Sequence, residues 1–189
     1  MRFLCFLLLL LLLPLSQLHS NPPLHPSQEG SKKWLDTARY YVGTLEKTNH
    51  NDGPVVEKFL ASVGRHKGDS WCAAFVSYCL TAGKVISPSI RSGMAINFKV
   101  KQSIKANDVL IGKYKILPGT IVVWREGATV HGHTGFVESW NRQSGKTIEG
   151  NTSSSGSGSQ SNGDGCYRKN RSIQPGNYFR LTCFTRVTE

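Results

Sequence analysis

The stretch Gly68-Asp69-Ser70-Trp71-Cys72-Ala73-Ala74-Phe75-Val76-Ser77-Tyr78-Cys79-Leu80 constrains this chain more than any other. Turn and cap formers give way to apolar residues at Cys72, Phe75, Val76, Cys79 and Leu80. That i, i+3, i+4, i+7, i+8 spacing belongs to one buried face of a helix. Cys72 then occupies the first turn, where backbone N–H groups lack intrahelical acceptors and the helix dipole is positive, so a thiolate is stabilised. Two readings stand at this point: a reactive nucleophile, or a small buried hydrophobe, which is a common fate of free cysteine.

A nucleophilic cysteine needs a base, and the base needs a group that orients its ring. His25 falls in a proline-rich segment, and His50 and His66 fall in turns among polar residues, which reads as solvated surface. His133 is different, because it opens a strand in His131-Gly132-His133-Thr134-Gly135-Phe136-Val137, with glycines permitting close approach on either side. His131 and His133 could also point the same way as zinc ligands, but no third ligand stands at a suitable spacing. The next strand ends in Thr147-Ile148-Glu149-Gly150-Asn151. Glu149 and Asn151 share one face, so either could accept the His133 ring proton from an antiparallel neighbour.

The first twenty of 189 residues have the form of an export signal: Arg2 as basic n-region, an apolar run broken by Pro14, and small residues at Ser16 and Ser20. The apolar run from Phe3 to Leu13 is shorter than the ~20 residues of a membrane-spanning helix. A secreted protein, periplasmic or extracellular, with no stable membrane anchor after cleavage is expected. Residues 21–30 read as a flexible lead-in, and 31–189 as a single domain. Loss of Arg2 changes 23 basic residues to 22 against 12 acidic ones, about +10. That charge suits an anionic partner. No zinc finger, RNA-recognition signature or basic helix points to nucleic acid. No acidic cluster has calcium-loop spacing, so neither metal nor other cofactor is expected. In an oxidising compartment Cys166 and Cys183 could pair, leaving Cys72 and Cys79 as thiols.

Periodicity predicts a helix capped by Ser31 with an apolar stripe from Trp34 to Leu45, and a second with Pro54 at its first position, carrying Val55, Val56, Phe59, Leu60 and Val63. The Cys72 helix follows and ends at Gly83, and a short helix lies within 94–100. From Pro118-Gly119 the period becomes that of strands, predicted at 120–124, 134–140, 146–149 and 178–187. Helices first and strands later define an α+β domain. The Ser/Gly tract between Thr152 and Gly165 reads as a loop draped over the cleft.

Taken together, Asp69-Ser70-Trp71-Cys72-Ala73-Ala74-Phe75-Val76, Leu117-Pro118-Gly119-Thr120-Ile121-Val122-Val123-Trp124, Gly132-His133-Thr134-Gly135-Phe136-Val137 and Glu149-Gly150-Asn151-Thr152 resemble the CHAP family. These are cysteine- and histidine-dependent amidohydrolases/peptidases of bacterial and phage cell-wall enzymes, with a papain-like fold. The segment Leu45 to Pro54 is also similar to the one that precedes the cysteine helix in the family, and the resemblance runs in order over 34–187. Thr120 departs from it, standing where many members have Asp. The resemblance implies Cys72 as nucleophile, His133 as base, Glu149 as the group orienting the imidazole and Asn151 as a nearby polar helper. Asn51, Trp71, Trp124 and Trp140 are the candidates for lining a substrate groove. The implied function is an exported amidase or endopeptidase of peptidoglycan or another anionic wall polymer, acting as a monomer. A silent wall-binding module and an antibacterial toxin of the same chemistry are the alternatives.

Overall fold

The computed structural model describes residues 32–154, 159, 162–174 and 179–188. The expected export signal, the lead-in, the Ser31 cap and much of the Ser/Gly tract lie outside these residues. Everything below belongs to the compact unit Ser31–Glu189. Its helices are α1 (Lys33–Tyr40), α2 (Pro54–Ala61), α3 (Cys72–Ala82) and α4 (Ala106–Leu110), with a 3₁₀ turn at Ala95–Phe98. The strands are β1 (Ile104–Lys105), β2 (Ile121–Glu126), β3 (Gly132–Trp140), β4 (Ser144–Thr152), β5 (Gly165–Ser172) and β6 (Phe179–Thr185). They form one antiparallel sheet in the order β1-β6-β2-β3-β4-β5. The domain is therefore α+β, with the cysteine helix preceding the sheet in the chain and packing on it. None of the described helices is long and apolar enough to cross a membrane.

α3 is buried nearly all round, with Cys72, Phe75, Val76, Cys79 and Leu80 inside. It is the spine of a core that α1 and α2 cover on one side and Ile121, Val123, Phe136 and Ile148 of the sheet on the other. Such a helix is apolar beyond a single stripe because it has neighbours on several sides. Gly83 ends it and lies against α1, where a Cβ would come within 2.7 Å of the Trp34 nitrogen. A second apolar cluster, with Val122, Val137, Leu181 and Phe184, fills the space between the other face of the sheet and α4.

α1 is shorter than its sequence pattern. The stripe was expected to continue to Leu45, yet the helix stops at Tyr40 and Leu45 is exposed. The reason is tertiary. Gly43 adopts a φ of 91°, its N–H donates to the Cys166 carbonyl at 2.8 Å, and Leu45 bridges Gly165, so the chain leaves the helix to pair with β5. α2 begins as its sequence suggests, with Pro54 at the first turn after Gly53.

The expected option of a Cys166–Cys183 bridge is corrected by the topology. Cys166 sits on β5 and Cys183 on β6, four strand steps apart in the sheet order. At ~4.8 Å per step that is roughly 19 Å, beyond disulfide reach. All four described cysteines are free. Burial pushes the thiols of Cys79, Cys166 and Cys183 above the ordinary range, as expected of core groups.

Candidate active site

α3 starts without a side-chain cap. Asp69 and Ser70 favour that role from sequence, but Trp71 is the N-cap residue, and Asp69 instead accepts the His66 N–H at 3.0 Å. The helix start is fixed from outside. In the orientation of the Asn151 amide that satisfies its neighbours, Oδ1 accepts the Trp71 N–H at 3.0 Å. Nδ2 then donates to Asn51 Oδ1 at 3.1 Å and to the Gly163 carbonyl at 3.0 Å. Asn151 is buried, with a φ of 57°, where the last residues of β4 turn toward α3. Its amide thus ties the strand that carries Glu149 to the helix that carries Cys72.

His133 lies one residue into β3, opposite Trp124 of β2, and is wholly buried. Cys72 lies close enough to the imidazole to favour its protonated form. Glu149 Oε2 accepts from Nε2 at 2.9 Å, so Nδ1 is the ring nitrogen not engaged by the carboxylate. The Trp124 indole packs on the ring, centroids 5.6 Å apart. Burial alone would lower the His133 pKa, but the influence of Cys72 and Glu149 outweighs it and pushes it up to about 9. The ring is held as imidazolium at neutral pH.

Glu149 is buried as completely as His133. Thr147 Oγ1 donates to Oε1 at 2.5 Å and Arg171 Nε to the same oxygen at 2.8 Å, while Arg171 Nη2 donates to Oε2. Desolvation opposes ionisation here. The Arg171 guanidinium and the His133 ring overcome it, and the carboxyl is held down at about 2. Arg171 is itself positioned by stacking on Trp124, 5.3 Å from the ring centroid. Cys72, His133, Glu149 and Arg171 therefore form one line of alternating charge capacity.

Gly135 makes the line possible. A Cβ there would fall 2.6 Å from the Ile148 carbonyl oxygen and 2.7 Å from Glu149 Cγ, so the glutamate crosses β3 where a side chain is missing. Gly135→Ala is expected to destabilise the fold by about 1–3 kcal/mol, the usual cost of overpacking. Activity should fall further than stability, since Glu149 must move; chemical denaturation beside turnover separates the two effects.

The four groove candidates fall in different places. Trp71 is fully buried, stacked on Phe59, with its Nε1 donating to Glu46 Oε1 at 2.7 Å, so it is core rather than groove. Asn51 spends its amide internally, accepting from Asn151 and donating from Nδ2 to the Gly68 carbonyl at 3.1 Å. Trp124 supports His133 and Arg171 from behind. Trp140 lies seven residues along β3 from His133 and lines a separate cavity with Lys146 and Asn170. The cleft that contains Cys72, about 360 Å³, is lined instead by Arg65, Ser70, Met94, Glu126, Val130 and His131 among others. His131 and His133 do not act together, since one is exposed and the other is bound to Glu149. Among the described residues no three His, Cys, Asp or Glu side chains converge as a metal site would require.

Sequence reasoning missed Arg171, and with it β5. The strand reads Gly-Cys-Tyr-Arg-Lys-Asn-Arg-Ser, too charged for an apolar alternation. One signal was present: a buried carboxylate needs a cation, and the basic residues just after the Ser/Gly tract were the supply. No curated protein and no solved structure matches this chain significantly. A family model does match, over residues 64–151, which take in α3, β2, β3 and β4 up to Asn151 and stop short of Arg171. That match is narrower than the span of the resemblance, but it contains Cys72, His133 and Glu149. With the family model matched on the segment that builds this site, residues 64–151 form a CHAP domain, the domain of amidases and peptidases that hydrolyse peptidoglycan.

Proposed function

We propose that this protein is an exported cysteine amidase or endopeptidase that cleaves an amide bond of peptidoglycan through a thioester on Cys72. The observation that carries the reading is the buried imidazole of His133 bonded to the Glu149 carboxylate, with Cys72 close enough to favour its protonated form. In the resting state the proton resides on the ring and the sulphur is nucleophilic. Attack on the carbonyl carbon places negative charge on its oxygen. The backbone N–H groups of the first turn of α3 can stabilise that charge, since they have no intrahelical acceptors. His133 then delivers its proton to the departing amine as the C–N bond breaks. A water molecule, deprotonated by the neutral ring, attacks the thioester carbonyl; the C–S bond breaks, the acid is released, and the sulphur is freed with the proton back on the ring. Glu149 fixes the orientation of the ring and stabilises it whenever it is an imidazolium.

Export rests on the form of residues 1–20, and a wall polymer as partner rests on the family and on the basic charge of the chain. The same reading has the protein acting as a monomer on an anionic polymer rather than on nucleic acid. The test uses purified sacculi. Wild type is expected to release soluble fragments, and Cys72→Ser to release essentially none, with the new terminus of each fragment identifying the bond. Release by the Cys72→Ser protein would sink the thioester. Failure of both on walls of several peptide types would leave a wall-binding module.

A sequon at Asn151-Thr152-Ser153 bears on the same site. Asn151 is buried and hydrogen bonded at the start of α3, so a glycan there is incompatible with this fold. Asn170 of a second sequon, Asn170-Arg171-Ser172, is exposed on β5.

A further inference from the structure

The cleft over Cys72 carries two opposite charges that the reaction chemistry does not use. Arg65 follows α2 and stands on one wall. Its side chain lies across Gly93, where a Cβ would come within 2.6 Å of Nε and 2.8 Å of Cγ, so the absence of a side chain at 93 gives the guanidinium its course. Glu126 closes β2 and lines the cleft together with Val130, His131 and Gly132 of the turn that leads to His133. Neither Arg65 nor Glu126 forms an ion pair or a side-chain hydrogen bond with another described residue. Elsewhere in the domain Glu149 is paired with Arg171, and Glu138 with both Arg39 and Arg168. Met94 and Val130 line the same cleft, and Val130 is 61% exposed although apolar.

We propose that this cleft selects a peptide bearing both a carboxylate and a free primary amine. Arg65 would hold the carboxylate, Glu126 the ammonium, and Met94 with Val130 would cover small apolar side chains between them. The inference rests on the cysteine-hydrolase reading above and deepens it. A guanidinium grips a carboxylate through two parallel N–H bonds, and a carboxylate is the natural acceptor for an ammonium. Two such groups left unpaired on one cleft select by difference, because a substrate lacking either charge leaves one group without its partner. The peptide stems of bacterial walls, built from small residues, acidic residues and a diamino acid, have this chemistry.

The test begins without a substrate. Full-length protein is alkylated at Cys72 with iodoacetate and, separately, with iodoacetamide, which differ in charge at the reacting molecule. Arg65→Gln is expected to lower the iodoacetate-to-iodoacetamide rate ratio by about fivefold, and Glu126→Gln to raise it by a similar factor, as suits one charge near the sulphur at intermediate dielectric. Arg65→Lys, which keeps the charge, should restore most of the ratio and guards against a folding defect. Wild type should then cleave a stem peptide with a free side-chain amine faster than its N-acetylated form, and Glu126→Gln should lose that preference through KM. Equal ratios in all variants, with Cys72 reactive throughout, would overturn the charged cleft while leaving the hydrolase reading intact. A Cys72 that neither reagent modifies in wild type would remove the nucleophile, and the inference with it.

Discussion

Arg171→Met is expected to cost about 3–5 kcal/mol of stability and to reduce turnover on the order of 100-fold. Glu149 is wholly buried and depends on Arg171 for two of its hydrogen bonds. Methionine keeps much of the length and apolar volume of the side chain, so packing on Trp124 survives while the charge does not. The carboxylate is then a buried anion opposed only by Thr147 and the His133 ring. It has two ways to relieve this, taking up a proton or swinging toward solvent, and either one loosens the imidazole. Turnover therefore falls even in the fraction that stays folded. Arg171→Lys should recover part of the stability, since one ammonium replaces the charge but not the two-pronged contact. Denaturant titration and fragment release from sacculi check the two effects separately. A stability loss below about 1 kcal/mol would mean that the ion pair contributes no more than an exposed one.

The parts of this site that could be read from sequence are those set by local rules. The α3 pattern announced a helix starting at Cys72 because burial on one face leaves a periodic record, and Gly83 marked its end. The alternation and glycines around His133 announced a strand with room beside it. The antiparallel pairing of β3 with β4 followed from their order in the chain. What stayed hidden was set by partners distant in sequence. Leu45 looked like one more residue of an apolar stripe, and only the approach of Gly165 explains why it is exposed. Trp71 looked like a groove aromatic, but Glu46 supplies a buried acceptor for its indole nitrogen, and so the ring can be core.

The two residues competing to orient His133 show the same limit. Glu149 and Asn151 stand two apart on one strand, and alternation puts both on one face. A break in register between Glu149 and Thr152, with the left-handed φ of Asn151, turns the second amide away from the ring and onto the Trp71 N–H. A bulge of this kind re-aims one side chain without changing the residue pattern, so periodicity carries no trace of it. The geometry consequently gives two polar residues two tasks: Glu149 holds the ring, and Asn151 holds the start of the helix that presents the thiol.

The rate of cleavage is expected to hold up to alkaline pH and fall as pH rises through about 9, where His133 loses its proton. Stability should follow with the same sign. His133 has a folded pKa of about 9 against an ordinary 6.5, so its contribution is complete below pH 6.5 and is lost as pH rises through about 9. Glu149 runs the other way. Its folded pKa of about 2 lies under the ordinary 4.5, so its contribution is present above pH 4.5 and is lost as pH falls through about 2. Each is worth on the order of 3 kcal/mol, but the two do not add, because the His133–Glu149 contact is counted in both. Glu149→Gln separates them. The neutral amide can still accept from the ring, yet it no longer favours the imidazolium by charge, so the alkaline limit of kcat/KM should move down from about 9 toward the ordinary histidine value. Rate profiles between pH 5 and 10.5 for both proteins, with denaturation midpoints at each pH, make the comparison. An alkaline limit unchanged in Glu149→Gln would assign the raised pKa to Cys72 alone and reduce Glu149 to a steric support for the ring.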